Sequence, residues 1–183
     1  MYHHFKGDKL SRSEKIQRLV VEMIIHSKLP DDKRESSIVW ECKHSSSCIQ
    51  VGRILAEKRG LNKEYAEIIC ALHDISVIKT GTYENHALES AKLAKEILNQ
   101  TKDFTDDEVK LFTDSIAHHS EKQIYTDDPY IEFAKDADAL DCSLYESVIS
   151  YYRQEKPPNV YKEYINRFNR LRDELGLPCE FVT

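Results

Sequence analysis

Asn62-Lys63-Glu64-Tyr65-Ala66-Glu67-Ile68-Ile69-Cys70-Ala71-Leu72-His73-Asp74-Ile75 is the stretch whose reading decides the fold class. Ala66, Ile69, Cys70 and His73 recur at the spacing of one helical face. Asn62 stands where a side chain can accept from the first free N–H groups of that helix. His73 shares the inward stripe, and a buried imidazole needs a partner for each ring nitrogen.

Outward from this helix the same period repeats. Upstream, Trp40, His44, Cys48, Val51 and Leu55 form one face, and Gly60 stops it. Earlier still, Ser11-Arg12-Ser13-Glu14 reads as a capping box. Behind it lies the stripe Ile16, Leu19, Val20, Met23 and Ile24, closed by Pro30. Downstream, residues 75–84 contain Gly81 and no strong period, which predicts a loop. Asn85 is placed to cap a helix with Leu88, Ala91, Ala94 and Leu98 inward. Thr105-Asp106-Asp107-Glu108 is a second capping box, before Val109, Phe112, Ile116 and His119. Asp128-Pro129 opens a further helix that carries Ala134, Asp138, Asp141 and Tyr145 on one side and runs to Pro157-Pro158. A last helix follows through Tyr161, Tyr164, Ile165, Phe168, Leu171 and Leu175 and stops near Gly176. The expected fold is all-α, with about seven helices and essentially no sheet.

The chain has 183 residues, of which 40% are hydrophobic and 32% charged, which suits one soluble domain. No apolar run approaches the roughly 20 residues that span a bilayer. The start shows no secretory signal, so the expected location is the cytoplasm. A net charge of −6 with no block of Lys or Arg argues against extended nucleic acid as a partner. It leaves a small nucleotide open, because a metal site brings its own positive charge. Cysteines at 42, 48, 70, 142 and 179 include no C-x-x-C pair, so disulfides and zinc ribbons are poorly supported. Cys48 and Cys70 read as buried small hydrophobes. His3 and His4 belong to a terminus expected to be disordered. His26 reads as a helix-end residue favoured by the dipole, and the tyrosines after residue 144 as packing residues.

His44, His73 and His119 each fall on an inward stripe, with Asp74 and Asp138 on candidate inward faces. A hydrogen-bonded cluster without metal is the plain alternative. Mixed imidazole and carboxylate donors, however, suit divalent transition metals. The ordered set His44, His73-Asp74 and Asp138 resembles the HD superfamily of metal-dependent phosphohydrolases. Two phrases strengthen the likeness, Cys70-Ala71-Leu72-His73-Asp74-Ile75 and Lys135-Asp136-Ala137-Asp138-Ala139-Leu140-Asp141. The resemblance covers about residues 36 to 150. It implies a single domain, 1–183, with helices near 11–28 and 158–176 packed on that core.

The resemblance implies that His44, His73, Asp74 and Asp138 ligate metal, with Asp136 the runner-up for the last position. His86 and His119 resemble the two extra histidines of the binuclear branches, which include diadenosine-tetraphosphate hydrolases and mixed-valence diiron oxygenases. Neighbours on a helix are about 100° apart, so His118 and His119 cannot share one face, and the stripe favours His119. Asp74, His86 and His119 are thus the expected catalytic residues. His118, Lys79 and Asp141 are candidate substrate contacts, with Asp141 otherwise a partner to a ligand or a surface acid. One or two divalent ions are expected, from Fe, Mn, Co, Ni, Zn or Mg. Such an ion supplies hydroxide near neutral pH and neutralises phosphoryl oxygens. Two positions depart from the family pattern, Glu41 where Arg is common and Val77 where Lys is common. The implied function is hydrolysis of a phosphomonoester or phosphoanhydride of a small metabolite, a nucleotide or dinucleoside polyphosphate among them. A homodimer is compatible with this reading. The rivals are an HD-type diiron oxygenase with the same ligands and a non-catalytic HD binding module.

Overall fold

The computed structural model describes residues 4–179 and 181. Among these the chain forms nine α-helices, one 3-10 turn at Asp31–Lys33 and no strand. The helices are α1 (Arg12–Ile25), α2 (Ile38–Arg59), α3 (Lys63–Leu72), α4 (Ile75–Thr80), α5 (His86–Thr101), α6 (Asp106–His118), α7 (Pro129–Cys142), α8 (Glu146–Glu155) and α9 (Pro158–Glu174). The fold is all-α, as expected. Among the described residues no helix is long and apolar enough to cross a membrane. His3 lies outside the described residues.

α3 is the central helix. Asn62 caps it by accepting from the Glu64 and Tyr65 N–H groups. Everything from Ala66 to Leu72 is buried, so it is apolar nearly all round, as a fully enclosed helix must be. α1, α2, α6 and α7 pack around it, and α5 pairs with α6 outside them. Ile68, Ile69 and Leu72 are wholly enclosed, each worth about 1.5–3 kcal/mol of transfer free energy. The one acid on this helix's inner side, Glu67, accepts from Ser13 Oγ at 2.5 Å and pairs with Arg53.

Both capping boxes form as read, at Ser11–Glu14 and Thr105–Glu108. Gly60 takes the left-handed conformation at the end of α2, φ 68°. Four expectations are corrected. Residues 75–84 are not a loop throughout: α4 forms because Ile75, Val77 and Ile78 point into the core, which periodicity over so short a segment did not reveal. The helix opened by Asp128 does not run to Pro157; it breaks at Ser143, and Tyr145 starts α8. These two changes turn about seven helices into nine. Asn85 precedes α5 in a left-handed conformation, φ 52°, without a side-chain cap bond. Leu88 faces solvent, 54% exposed, while Ala91, Ala94 and Leu98 are buried.

The close packing of α2 on α3 and α7 rests on Gly52. A Cβ there would meet Cys70 Sγ at 2.5 Å and Phe133 Cζ at 3.3 Å. Cys48 and Cys70 fill this seam as buried thiols. α9 is tied on by Arg167, fully buried, which pairs with Asp136 and Glu132 and donates to the Lys122 carbonyl at 2.7 Å.

Gly52→Ala should therefore destabilise the protein by about 1–3 kcal/mol through overpacking. Denaturant unfolding of the metal-free protein measures it. An unchanged midpoint would show that the seam has slack.

Candidate metal centre

Six side chains from five helical segments meet beside the end of α3. His44 comes from the middle of α2. His73 directly follows α3, and Asp74 occupies the break before α4, with φ −111° and ψ 22°. His86 begins α5, His119 follows the last residue of α6, and Asp138 comes from α7. The six lie together as the sequence order suggested.

Helix ends set the histidine tautomers. The last carbonyls of a helix have no N–H four residues on. His73 Nδ1 bonds to the Cys70 carbonyl at 2.7 Å, and His119 Nδ1 to the Ile116 carbonyl at 2.8 Å. His86 Nδ1 bonds to the Tyr83 carbonyl at 2.8 Å. A carbonyl only accepts, so in each ring Nδ1 carries a hydrogen, which leaves Nε2 as the nitrogen that faces inward and, in a neutral ring, offers a lone pair. His44 uses a carboxylate instead, with Nδ1 2.6 Å from Asp141 Oδ2.

Those lone pairs face one another. His86 Nε2 and His119 Nε2 are 3.2 Å apart. Asp74 Oδ1 lies 3.6 Å from the first and 3.3 Å from the second. This oxygen is buried and has no hydrogen-bond donor among the described residues. With both rings neutral these are three acceptors in contact, which repel, and an unsatisfied buried acceptor costs about 1–3 kcal/mol. A cation among them reverses the sign. On the other side, Asp74 Oδ2 lies 3.6 Å from His44 Nε2 and 3.4 Å from His73 Nε2. His44 Nε2 is also 3.6 Å from Asp138 Oδ1 and 3.0 Å from His73 Nε2. Asp74 thus faces two donor sets, one per oxygen. Each set brings its ligand atoms within 4.8 Å of one another, as metal coordination demands.

The electrostatics agree. Burial opposes charge on His44, but the Asp141 hydrogen bond and the charges of Asp138 and Asp74 outweigh it and raise its pKa to about 9. Burial lowers His73 to about 4. In the metal-free protein at neutral pH a proton on His44 Nε2 therefore points at the His73 lone pair. Burial also works against Asp74 and Asp138. The surrounding histidines hold Asp74 well below the usual carboxylate range, and Lys122 foremost does the same for Asp138.

Asp136, the runner-up ligand, is engaged by Arg59, Arg167 and Arg170 and takes no part. Asp141 is fully buried, does not line the cavity, and has its Oδ2 2.6 Å from His44 Nδ1. His118 is on the surface beside Glu121, 2.9 Å away, and Lys79 is exposed; neither lines the cavity. Val77 is fully buried in the core. Glu41 is buried and accepts from the Tyr83 hydroxyl at 3.2 Å; burial first, then the charge of Asp74, raises its pKa to about 7.

A cavity of about 420 Å³ opens onto His44, Asp74, His86 and Asp138. Two of its wall residues, Lys122 and Lys156, escaped the sequence reading, and a third, Trp40, was read only as part of a helix stripe. Trp40 stacks on His44, ring centroids 5.3 Å apart. Lys122, buried, pairs with Asp138, and Lys156 lines the same cavity. Tyr151, Tyr152 and Tyr164, expected as packing residues, also line the cavity. Lys122 sits three residues past His119, where the sequence alone offers no sign of burial.

A family model for the HD domain matches residues 42–143, more than half of the chain. The chain belongs to the HD domain family. That family is one of metal-dependent hydrolases binding divalent ions, and the His/Asp cluster of this HD domain is able to hold such an ion. No curated protein and no solved structure matches the chain.

Asp74→Ala removes the carboxylate common to both donor sets, so the purified variant should retain no metal while keeping its helical content. Full metal content in that variant would overturn the assignment. His119→Ala should lose metal, and His118→Ala should not.

Metal uptake should also depend on pH. A metal at His44 Nε2 competes with the proton held there, and that competition is present below about 9. Affinity should therefore rise with pH from 6.5 towards 9, with proton release on binding, as titration calorimetry in buffers of different ionisation enthalpy would show. A flat profile across that window would contradict it.

Proposed function

We propose that the protein is a metal-dependent phosphohydrolase that cleaves a phosphomonoester or phosphoanhydride of a small cytoplasmic metabolite, with nucleotides and dinucleoside polyphosphates as the first substrates to screen. The observation that carries this is the buried Asp74 carboxylate, its two oxygens facing separate imidazole sets at the floor of a ligand-sized cavity. His44, His73, Asp74 and Asp138 would hold one divalent ion, and Asp74, His86 and His119 a second. Such ions supply hydroxide near neutral pH and offset charge on phosphoryl oxygens.

The chain's own residues position and screen. Asp141 holds the His44 ring by its Nδ1, a partner of the kind that sets ligand orientation and basicity. Trp40 fixes the same ring from its face. Lys122 brings positive charge to the edge of the cluster, where a phosphoryl group gathers negative charge during transfer. The aromatic side chains around the cavity lower the local dielectric and strengthen these interactions.

A chelator should reduce activity on the best substrate of a phosphate-ester and nucleotide screen to background. Manganese, cobalt, nickel or iron should restore it. Oxygen consumption coupled to substrate loss, with no phosphate or nucleoside formed anaerobically, would replace this reading with an oxygenase.

A further inference from the structure

Part of the cavity wall is built from outside the matched span 42–143. It is made by α8, by Lys156 after it and by Tyr164 of α9. Tyr164 carries two cations: Lys122 Nζ lies 5.7 Å from its ring centroid and Lys156 Nζ 5.6 Å. Lys156 also lies 5.8 Å from the ring of Tyr152. The Tyr164 ring thus brings the two ammonium groups to one part of the cavity lining.

Their partners differ. Lys122 pairs with Asp138. Lys156 is half-buried and has no carboxylate within ion-pair reach among the described residues. The cavity's carboxylates are Glu35, Asp74 and Asp138. Glu35 is occupied by the Thr82 hydroxyl and by the Tyr83 N–H at 3.3 Å. Asp74 and Asp138 face the histidines. Burial, and then the like charge of Lys122, disfavour the Lys156 ammonium and outweigh the opposing pull of Asp138, which Lys122 already pairs with. A half-buried cation beside a second cation, with no acid of its own, suits a site that receives an anion. Val77, where Lys is common in the family pattern, is enclosed in the core and offers none.

We propose that Lys156, backed by Lys122, is the specificity-determining cation of this site and binds the phosphoryl oxygens of the substrate from the α8–α9 side. This rests on the phosphohydrolase reading and narrows it: the anion would be gripped between the His/Asp cluster and a C-terminal wall that lies beyond the matched HD span. Lysine acts here as a point charge, so arginine should substitute in part and a neutral residue should not.

The test uses the full-length, metal-loaded protein with inorganic phosphate as the probe, followed by calorimetry. Lys156→Ala, Lys156→Gln, Lys156→Arg and Lys156→Glu are compared with the unsubstituted chain, with metal content measured for each. Lys156→Ala and Lys156→Gln should weaken phosphate binding roughly 10- to 100-fold, the range for a hydrogen bond to a charged group. Lys156→Arg should stay close to the unsubstituted protein, Lys156→Glu should abolish binding, and all four should keep their metal. On the best substrate of the screen, Lys156→Ala should raise KM with little change in kcat. Unchanged phosphate affinity and KM in Lys156→Ala and Lys156→Gln would overturn the subsite while leaving hydrolysis intact. Lys156-dependent phosphate binding without hydrolysis of any ester would support the subsite and overturn the hydrolase reading. Absence of phosphate binding in the unsubstituted protein, or loss of metal in every Lys156 variant, would overturn the subsite.

Discussion

Everything about this molecule turns on imidazole lone pairs that converge on one buried carboxylate. His73, His86 and His119 each spend their Nδ1 hydrogen on the carbonyl three residues before them. That leaves Nε2 as an acceptor aimed at Asp74, itself an acceptor. Neutral rings and a carboxylate do not attract one another, so the arrangement calls for positive charge in its midst, as a proton or a cation. In the metal-free protein a proton on His44 supplies part of it, and Lys122 neutralises Asp138. A divalent cation meets the same requirement more completely, because it coordinates several lone pairs at once.

Holding such a cluster together takes a scaffold that does not relax around it. α3 supplies this by burying nearly its whole length and ending at the site. Gly52 lets α2 approach closely enough for His44 to reach His73. On the far side, Arg167 links α9 to Asp136 of α7 and to the backbone at Lys122. Removing one member of a buried ion pair costs about 3–5 kcal/mol. The placement of Lys122 is therefore tied to the attachment of the last helix. The same contact takes Asp136 away from the metal cluster and leaves Asp138 as the aspartate of α7 that faces it.

The site has two chemically different sides. One is the His/Asp floor, rich in acceptors and suited to cations. The other is aromatic and cationic, with Lys122 and Lys156 on Tyr164. With cations held on the floor, as proposed above, both sides would favour a ligand that carries negative charge.

The sequence by itself determined the helical class, most helix ends and the order of the metal-type residues. Capping boxes at Ser11 and Thr105, Asn62, Asp128-Pro129 and Gly60 act within a few residues, and local signals of that range survive folding unchanged. The choice of His119 over its neighbour was legible too, because adjacent residues on a helix cannot share a face. α4 and the break at Ser143 were not, since short elements are stabilised by what packs on them and not by their own period. Only the tertiary structure decided that Asp141 orients His44, that Asp136 belongs to arginines, and that Lys122 and Lys156 face the cavity. Each of those roles depends on a partner in another helix or loop, and a side chain's exposure and charge state are set by such partners through burial and Coulomb interaction.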